Sequence, residues 1–473
     1  MTLLEGRGRS GAGAVAYLTE VRNGLPSSTT VPHRSMHEPE SKFRFARVLY
    51  MLGLSFVAAS ALRPVPSLDV SDCFFLGSLI VAACTVVLTS ARVDPAMPGL
   101  LILGCVVLCI GAAISLPASF YTLDAFGAAA KFVYTTVVWF SLGAIILRTR
   151  RHIEIAIAMW ILSIAISGLA AIAQVLFGQG IFASFTTNEG PTLSIFLGRQ
   201  IGFSLHPNDL GGSAAIVVAP AILFAASRIW SVRMRYVFGG LLCLVLACIA
   251  LSGSVDAFVA SVVSVLILSI SRHVSFRQLV VVAVILAAGS ISLVAINQQG
   301  ASSVLSPADR VAQTLGLADP SLATGLSRLN LDAVAWDEIV RNPLSGVGLD
   351  PGSNAAGLQG VAVHNMFLLV WVGAGIFGFV GLLMMVVSLA STFAAEYKRS
   401  AARLERTLVL ALGTSFLSFV VFGLAAPVLI IRYGWVPAAL MLPLHAQRLR
   451  AERTARLVQL KGANHGLGSS DHN

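Results

Sequence analysis

The chain has 473 residues, of which 56% are hydrophobic and 11% are charged, and its formal net charge is +10. Soluble domains carry roughly a quarter charged residues, so this composition excludes an ordinary soluble protein. The mean hydropathy is +0.83, and uncharged apolar runs recur along the whole length. Each run approaches the roughly 20 residues that a helix needs to cross a bilayer, which predicts an all-α polytopic membrane protein.

The elements follow in order from a polar N-terminal tail over residues 1–44. This tail lacks the apolar core and the cleavage site of a signal peptide, so the first helix is expected to be a retained membrane anchor. A transmembrane domain over 45–446 contains about 12 transmembrane helices, and a polar C-terminal tail covers 447–473. The turn Ser252–Ser254 between the seventh and eighth spans predicts a helical hairpin. The predicted spans are 46–62, 73–90, 98–116, 127–147, 153–177, 209–227, 236–252, 255–270, 278–296, 364–391, 407–425 and 427–446.

The positive charges divide unevenly between the two sides of these spans. Twenty-five of the 32 Lys and Arg residues fall in the tails and in alternate loops, and this side is predicted to be cytoplasmic, with both termini. The basic excess is therefore explained by topology, and no nucleic-acid partner is needed. The seven outer residues are Arg63, Lys131, Arg199, Arg310, Arg328, Arg341 and Arg432.

Two outer segments are longer than a turn, 178–208 and the large loop 297–363, and long loops are often functional. In the large loop, Ser306 followed by Pro307 predicts a short helix to about residue 317. Leu329, Ala333, Trp336 and Val340 then recur at helical spacing. They predict an amphipathic helix at the membrane interface, and a surface helix packed on the bundle fits the pattern equally well.

The outer side also collects the residue types that chemistry would use. Of nine histidines, only His206 and His364 face outward. His364 stands at the mouth of the tenth span, where an interfacial polar residue without further function is the alternative. The outer arginines run against the positive-inside preference. Together they could form an anion site, because guanidinium groups bind phosphate oxygens bidentately, although each alone could contact lipid headgroups.

Other patterns are discarded on physical grounds. Gly373, Gly375 and Gly378 match a dinucleotide fingerprint, but they lie inside an apolar span with no preceding strand, and predict a helix-packing surface. All six cysteines lie inside apolar runs, where they are expected to be packing residues. No cofactor and no metal ion is therefore expected.

Three stretches resemble the O-antigen ligase and polysaccharide polymerase superfamily, with a signature region over 195–445. The stretch from Arg199 to the His206-Pro207-Asn208 run is similar to one motif of that family. The stretch from Arg328 through Trp336 to Gly348, followed by His364-Asn365, is similar to its signature outer loop. The run Arg432-Tyr433-Gly434-Trp435 resembles its late arginine.

The resemblance implies a bundle like that of the GT-C glycosyltransferases in a bacterial inner membrane, with the large loop in the periplasm. It implies a metal-independent glycosyltransferase that takes glycan from an undecaprenyl-diphosphate carrier. Its partners would be the undecaprenyl-diphosphate-linked oligosaccharide, a growing glycan or other acceptor, membrane lipid and other polysaccharide-assembly proteins.

The hypothesis assigns His364 as the general base or as the group that orients the acceptor, and Arg199 and Arg328 to the diphosphate. The supporting substrate-binding residues are Asn365, Arg432, His206, Asn208 and Arg341.

The acceptor is not fixed by the sequence. The family often has a serine-arginine pair near 252–256, and here Ser254 precedes Val255 and Asp256. This departure favours polymerisation of exopolysaccharide or O-antigen repeat units over ligation to lipid A core, and protein glycosylation is a further alternative. A different class of function is the remaining alternative, namely a transporter or flippase that catalyses no reaction. Transporters usually build mid-membrane sites and show internal repeats, whereas here polar residues gather outside.

Overall fold

A computed structural model of the chain describes residues 42–64, 68–90, 96–178, 181, 199–226, 230–271, 324–350 and 363–467. The chain divides into two units, 1–42 and 43–473, and every described residue except Lys42 belongs to the second. The described part is helical and contains no β-strand.

The helices of the described part are numbered α1 to α12 along the chain, and α4 contains a π-helical turn at Tyr134–Val138. Their bounds are α1 Arg44–Ser55, α2 Val70–Thr89, α3 Gly99–Ser115, α4 Thr122–Ile146, α5 Arg150–Phe177, α6 Pro207–Ala226, α7 Val232–Ser252, α8 Val255–Ile270, α9 Thr324–Arg341, α10 Met366–Arg399, α11 Arg403–Gly423 and α12 Arg432–Leu467.

Among the described residues, eight helices are long and apolar enough to cross a membrane: α2, α3 with its 3₁₀ extension to Ala118, α4, α5, α6, α7, α10 and α11. This confirms a polytopic membrane protein. The predicted spans 46–62, 255–270 and 427–446 overlap α1, α8 and α12. Of these helices α1 has 12 residues and α8 has 16, and α12 is long but not apolar enough. The predicted span 278–296 lies outside the described residues, so the count of twelve spans stays a prediction.

The predicted turn at Ser252–Ser254 is present, and the two helices that it joins, α7 and α8, both pack against α6. α7 ends at Ser252, and Gly253 takes the left-handed conformation with φ +57° that commonly ends a helix. The hydroxyl of Ser254 then accepts a hydrogen bond from the backbone N–H of Ala257 at 3.4 Å and caps α8.

α6 is the most buried of the eight candidate spans. It packs against α5, α7, α8 and α11, and its residues from Leu210 to Phe224 are buried on every side. A helix that is apolar all round belongs in the middle of a bundle. The polar residues at its first turn, Asn208 and Asp209, are therefore held at the centre of one end of the protein.

The two predicted sets of loops contact one another within each set. At one end, Arg47 at the start of α1 donates to the carbonyl oxygen of Ile146 at 3.1 Å, and Glu396 pairs with His445 and Arg448. At the other end, Arg432 pairs with Asp69 near the start of α2. These contacts join loops that the sequence places on the same side, and the full topology stays a prediction. Which end faces the cytoplasm stays a prediction from the distribution of positive charge.

α10 is broken near its outer end, at Ala374 and Gly375, which have non-helical backbone angles. The segment 342–349 lies against this break and bonds to its freed backbone groups. Val347 N–H donates to the Val372 carbonyl at 2.9 Å, and Ile376 N–H donates to the Pro343 carbonyl at 2.9 Å. Such pairing is required because peptide groups freed at membrane depth have no water to bond.

Glycines permit this close approach of two backbones. Gly375 has φ +62° and ψ −166°, a conformation that side chains rarely adopt, and a Cβ there would overlap the Leu344 carbonyl. The predicted helix-packing role is confirmed for Gly378, because a Cβ on Gly111 of α3 would lie 2.5 Å from its nitrogen. Gly375 instead serves the break, which its sequence pattern did not indicate.

Gly375→Ala is expected to lower the thermal unfolding midpoint of the detergent-solubilised protein. The added methyl group must displace 342–349, at a cost on the order of 2 kcal/mol or more. The matched control is Gly240→Ala in α7, where a Cβ meets nothing within 4 Å. This control should leave the midpoint unchanged or raise it, because alanine favours helix. Equal midpoints for the two variants would contradict the assignment of 342–349 to the break.

Candidate functional site

Arg199, His206 and Asn208 are brought together at the outer end of the bundle. Arg199 donates through Nη2 to the side-chain oxygen of Asn208, and through Nε to the carbonyl of Ser252 at 2.7 Å. The backbone N–H of Asn208 donates to Nδ1 of His206 at 3.0 Å. Arg199 and His206 therefore contact Asn208 at the first turn of α6, and Arg199 links that turn to the one between α7 and α8.

The backbone of this motif is held by Gln174, which the sequence analysis did not single out. Its side-chain oxygen accepts from the N–H groups of Ile201 and Gly202 at 3.2 and 2.9 Å, and its nitrogen donates to the Gly202 carbonyl at 3.1 Å. A lone buried amide in an apolar span such as α5 is a recognisable signal, because a polar group there needs a partner. Gln174 therefore fixes the path of the chain between Arg199 and α6.

Arg432 lies at the start of α12, between two aspartates of α2. Its guanidinium bonds to the carboxylates of Asp69 and Asp72, and only 13% of its side chain is exposed. Asp69 and Asp72 also cap α2 reciprocally, each accepting from the other's backbone N–H. This Arg432 cluster (Asp69, Asp72 and Arg432) links α2 to α12. The aspartates were missed, although an acidic pair three residues apart before an apolar run is a cap signature.

A hydrogen bond joins the first turn of α6, which follows the 199–208 stretch, to the 432–435 stretch. The hydroxyl of Tyr433 donates to Oδ1 of Asp209 at 3.1 Å. Asp209 follows Asn208 in the first turn of α6, and Tyr433 follows Arg432. Three sets of side-chain contacts at the outer end are therefore linked through residues that are neighbours in sequence. This outer polar network consists of Arg199, Asn208, Asp209, Tyr433, Arg432, Asp69 and Asp72.

His364 and Asn365 open α10, as the sequence predicts. The Asn365 side-chain oxygen caps the helix by accepting from the N–H groups of Phe367 and Leu368 at 2.9 and 3.3 Å. His364 is half-buried beside it. Met366 packs against Gly423 at the end of α11. Asn365 thus has a structural task, and its predicted contact with substrate stays a prediction.

Arg328 and Arg341 lie on α9. The side chain of Arg341 is 71% exposed at the end of the helix, where it comes within 3.8 Å of the Glu338 carboxylate. For Arg328 only the backbone is described, so its predicted role lies outside the described side chains. Within the described ranges, no three metal-ligating side chains come together.

The face by which α9 contacts the bundle differs from the predicted stripe. Ala335 and Ile339 are buried, and α9 packs on α10, whereas Trp336 and Val340 of the predicted stripe are 51% and 65% exposed. The rings of Trp336 and Trp371 meet edge to face, with centroids 5.9 Å apart. α9 is therefore a surface helix packed on the bundle that also leaves apolar side chains outside. The predicted short helix 306–317 lies outside the described residues.

Comparison with known proteins adds no relative. No protein-family model matches this sequence, and no curated protein matches it at a significant level.

Replacing Arg432 by Met is expected to destabilise the protein strongly. The change leaves two buried carboxylates without a cation, at a cost of about 3–5 kcal/mol. Adding Asp69→Asn and Asp72→Asn should restore much of the thermal unfolding midpoint, because asparagine still caps α2 without a charge. Thermal unfolding of the three purified proteins measures this. A triple variant no more stable than R432M would show that charge balance is not the reason for the cluster.

Proposed function

We propose that this chain is a metal-independent membrane glycosyltransferase that acts on undecaprenyl-diphosphate-linked glycans and polymerises exopolysaccharide or O-antigen repeat units. One observation carries the proposal beyond the resemblance. Two stretches that carry it, 199–208 and 432–435, lie more than 220 residues apart in sequence, yet their neighbouring side chains meet through Tyr433 and Asp209. A transferase needs such convergence, because donor and acceptor must be held side by side.

The proposed chemistry uses fixed positive charge at the leaving group. Arg199 and Arg328 bind the diphosphate and stabilise the charge that develops as the bond to the anomeric carbon breaks. The acceptor hydroxyl attacks that carbon and loses its proton to a general base. His364 either serves as this base or orients the acceptor. Arg199 suits its role because Asn208 and the Ser252 carbonyl fix its orientation.

Location follows from the same proposal. The outer polar network faces the periplasm, both termini are cytoplasmic, and the lipid carrier reaches the site from the inner membrane. Arg432 contributes indirectly, since the two aspartates match its charge and its backbone carries Tyr433 to Asp209. His206, Asn365 and Arg341 are the remaining candidates for substrate contact.

Ligation of the glycan to lipid A core or to protein is the alternative acceptor choice. Transport without chemistry is the alternative function, and the break in α10 favours it, because transporters often build sites from discontinuous helices. The segment 342–349 bonds to the freed groups of that break, which removes some of them from contact with a transported substrate. Transfer therefore accounts better for the described contacts.

Purified protein supplied with lipid-linked repeat units tests the proposal. Chain growth, resolved as a ladder on a gel, is the expected result for a polymerase. Transfer to added lipid A core instead would identify a ligase. Movement of intact lipid-linked glycan across a vesicle bilayer without any new glycosidic bond would identify a transporter and refute the proposal.

His364→Ala is expected to reduce chain growth by about 100-fold while the protein still inserts in the membrane, because loss of a base or of a group that orients the acceptor costs at least about 10²-fold. The rate of ladder formation measures this. His465→Ala near the C-terminus is the control and should retain full activity. Undiminished polymer from H364A would remove His364 from the reaction.

Arg199→Lys is expected to lower the transfer rate by about 10- to 100-fold. Lysine retains the charge but cannot bond Asn208, the Ser252 carbonyl and a phosphate oxygen in one plane. Arg233→Lys at the other end of the bundle is the matched control. Wild-type rates for R199K would mean that only a point charge is needed at this position.

A further inference from the structure

Asp209 differs from the other carboxylates of the outer polar network. Asp69 and Asp72 both bond to the guanidinium of Arg432. Asp209 bonds through Oδ1 to the hydroxyl of Tyr433, which is neutral. Among the residues that the structure describes, no cation pairs with Asp209. The side chain is half-buried, whereas α6 becomes fully buried from Leu210 onward.

This difference decides which carboxylate can accept a proton. A guanidinium stabilises the ionised form of its partner and occupies an oxygen that a substrate hydroxyl would otherwise approach. The carboxylate of Asp209 has no such cation beside it among the described residues. It is also costly to hold inside a membrane bundle, and ionisable groups retained in such places commonly take part in function. Asp209 is therefore the better candidate for proton transfer.

The position of Asp209 suits a particular proton. Its neighbour Asn208 accepts a hydrogen bond from Arg199, the residue proposed to hold the diphosphate. A base for the acceptor hydroxyl must lie beside the anomeric carbon, close to the leaving group. The first turn of α6 thus carries both Asn208, which bonds to Arg199, and Asp209, which bonds to Tyr433.

We propose that Asp209 is the general base of the transfer, an inference that rests on the proposed function and leaves His364 to orient the acceptor. The acceptor hydroxyl gives its proton to Oδ2 of Asp209, and its oxygen forms the new bond to the anomeric carbon. The bond from that carbon to the diphosphate breaks, and its electron pair leaves with the diphosphate beside Arg199. Tyr433 is a positioning residue, because its hydroxyl fixes Oδ1.

A purely structural role would give Asp209 a different task. An acidic residue in the first turn of a helix stabilises that helix through its dipole, typically by 0.3–1 kcal/mol. The experiment must therefore include a measurement of activity whose result does not depend on the stability of the helix. Chemical rescue supplies it, because a small carboxylate can replace a missing base but cannot replace a helix contact.

Asp209→Asn keeps the shape of the side chain and an oxygen for Tyr433, so the variant should unfold close to the wild-type midpoint. Its rate of chain growth should fall by about 10²–10⁴-fold. Asp256→Asn, in the first turn of the neighbouring α8, is the matched control and should keep its rate. In Asp209→Ala, added formate should restore activity in proportion to its concentration.

Three results would overturn this assignment. Wild-type rates for D209N would exclude Asp209 as the base while leaving the transferase proposal intact. A folded D209N that is inactive, with D209A insensitive to formate, would assign Asp209 to packing. Failure of the wild-type protein itself to extend lipid-linked glycan would refute the proposed function, and the assignment of Asp209 with it.

Discussion

Hydrocarbon cannot solvate a freed peptide group or an unmatched charge, so every interruption of a membrane helix must find its partner inside the protein. This constraint explains the two least regular parts of the structure. The break at Ala374 and Gly375 is matched by the backbone of 342–349, and Arg432 is matched by Asp69 and Asp72. In each case another part of the chain is held at the outer end because it bonds to groups that would otherwise have no partner in lipid.

The outer polar network follows from that fixation. α6 is buried on all sides, so its first turn can be oriented only by its neighbours. Tyr433 of α12 bonds to Asp209 in that turn, and Arg199 bonds to Asn208. Arg199 is in turn held by the Ser252 carbonyl, and Gln174 of α5 holds the backbone between Arg199 and α6. A rigid first turn is useful for catalysis, since groups that stabilise a transition state act best when no reorganisation is needed at the moment of reaction.

The same contacts separate two kinds of charged residue. The guanidinium of Arg432 is enclosed by two carboxylates, which suits a link between helices, whereas the carboxylate of Asp209 bonds only a neutral hydroxyl among the described residues. Residue type alone does not distinguish these situations. In the run that resembles the family's late arginine, Tyr433 contacts Asp209, whereas Arg432 itself contacts only Asp69 and Asp72 among the contacts described above.

Composition and periodicity by themselves determined that the chain is helical and carries several helices apolar enough to span a membrane, because these properties depend on local hydrophobicity. The turn at Ser252–Ser254 is equally local. Only the tertiary structure decided that Asp69, Asp72 and Gln174 belong to the site, that α9 turns Ala335 and Ile339 inward, and that Gly375 serves a break. Those outcomes depend on which distant segment satisfies a polar group or covers an apolar face, and no local pattern encodes the partner.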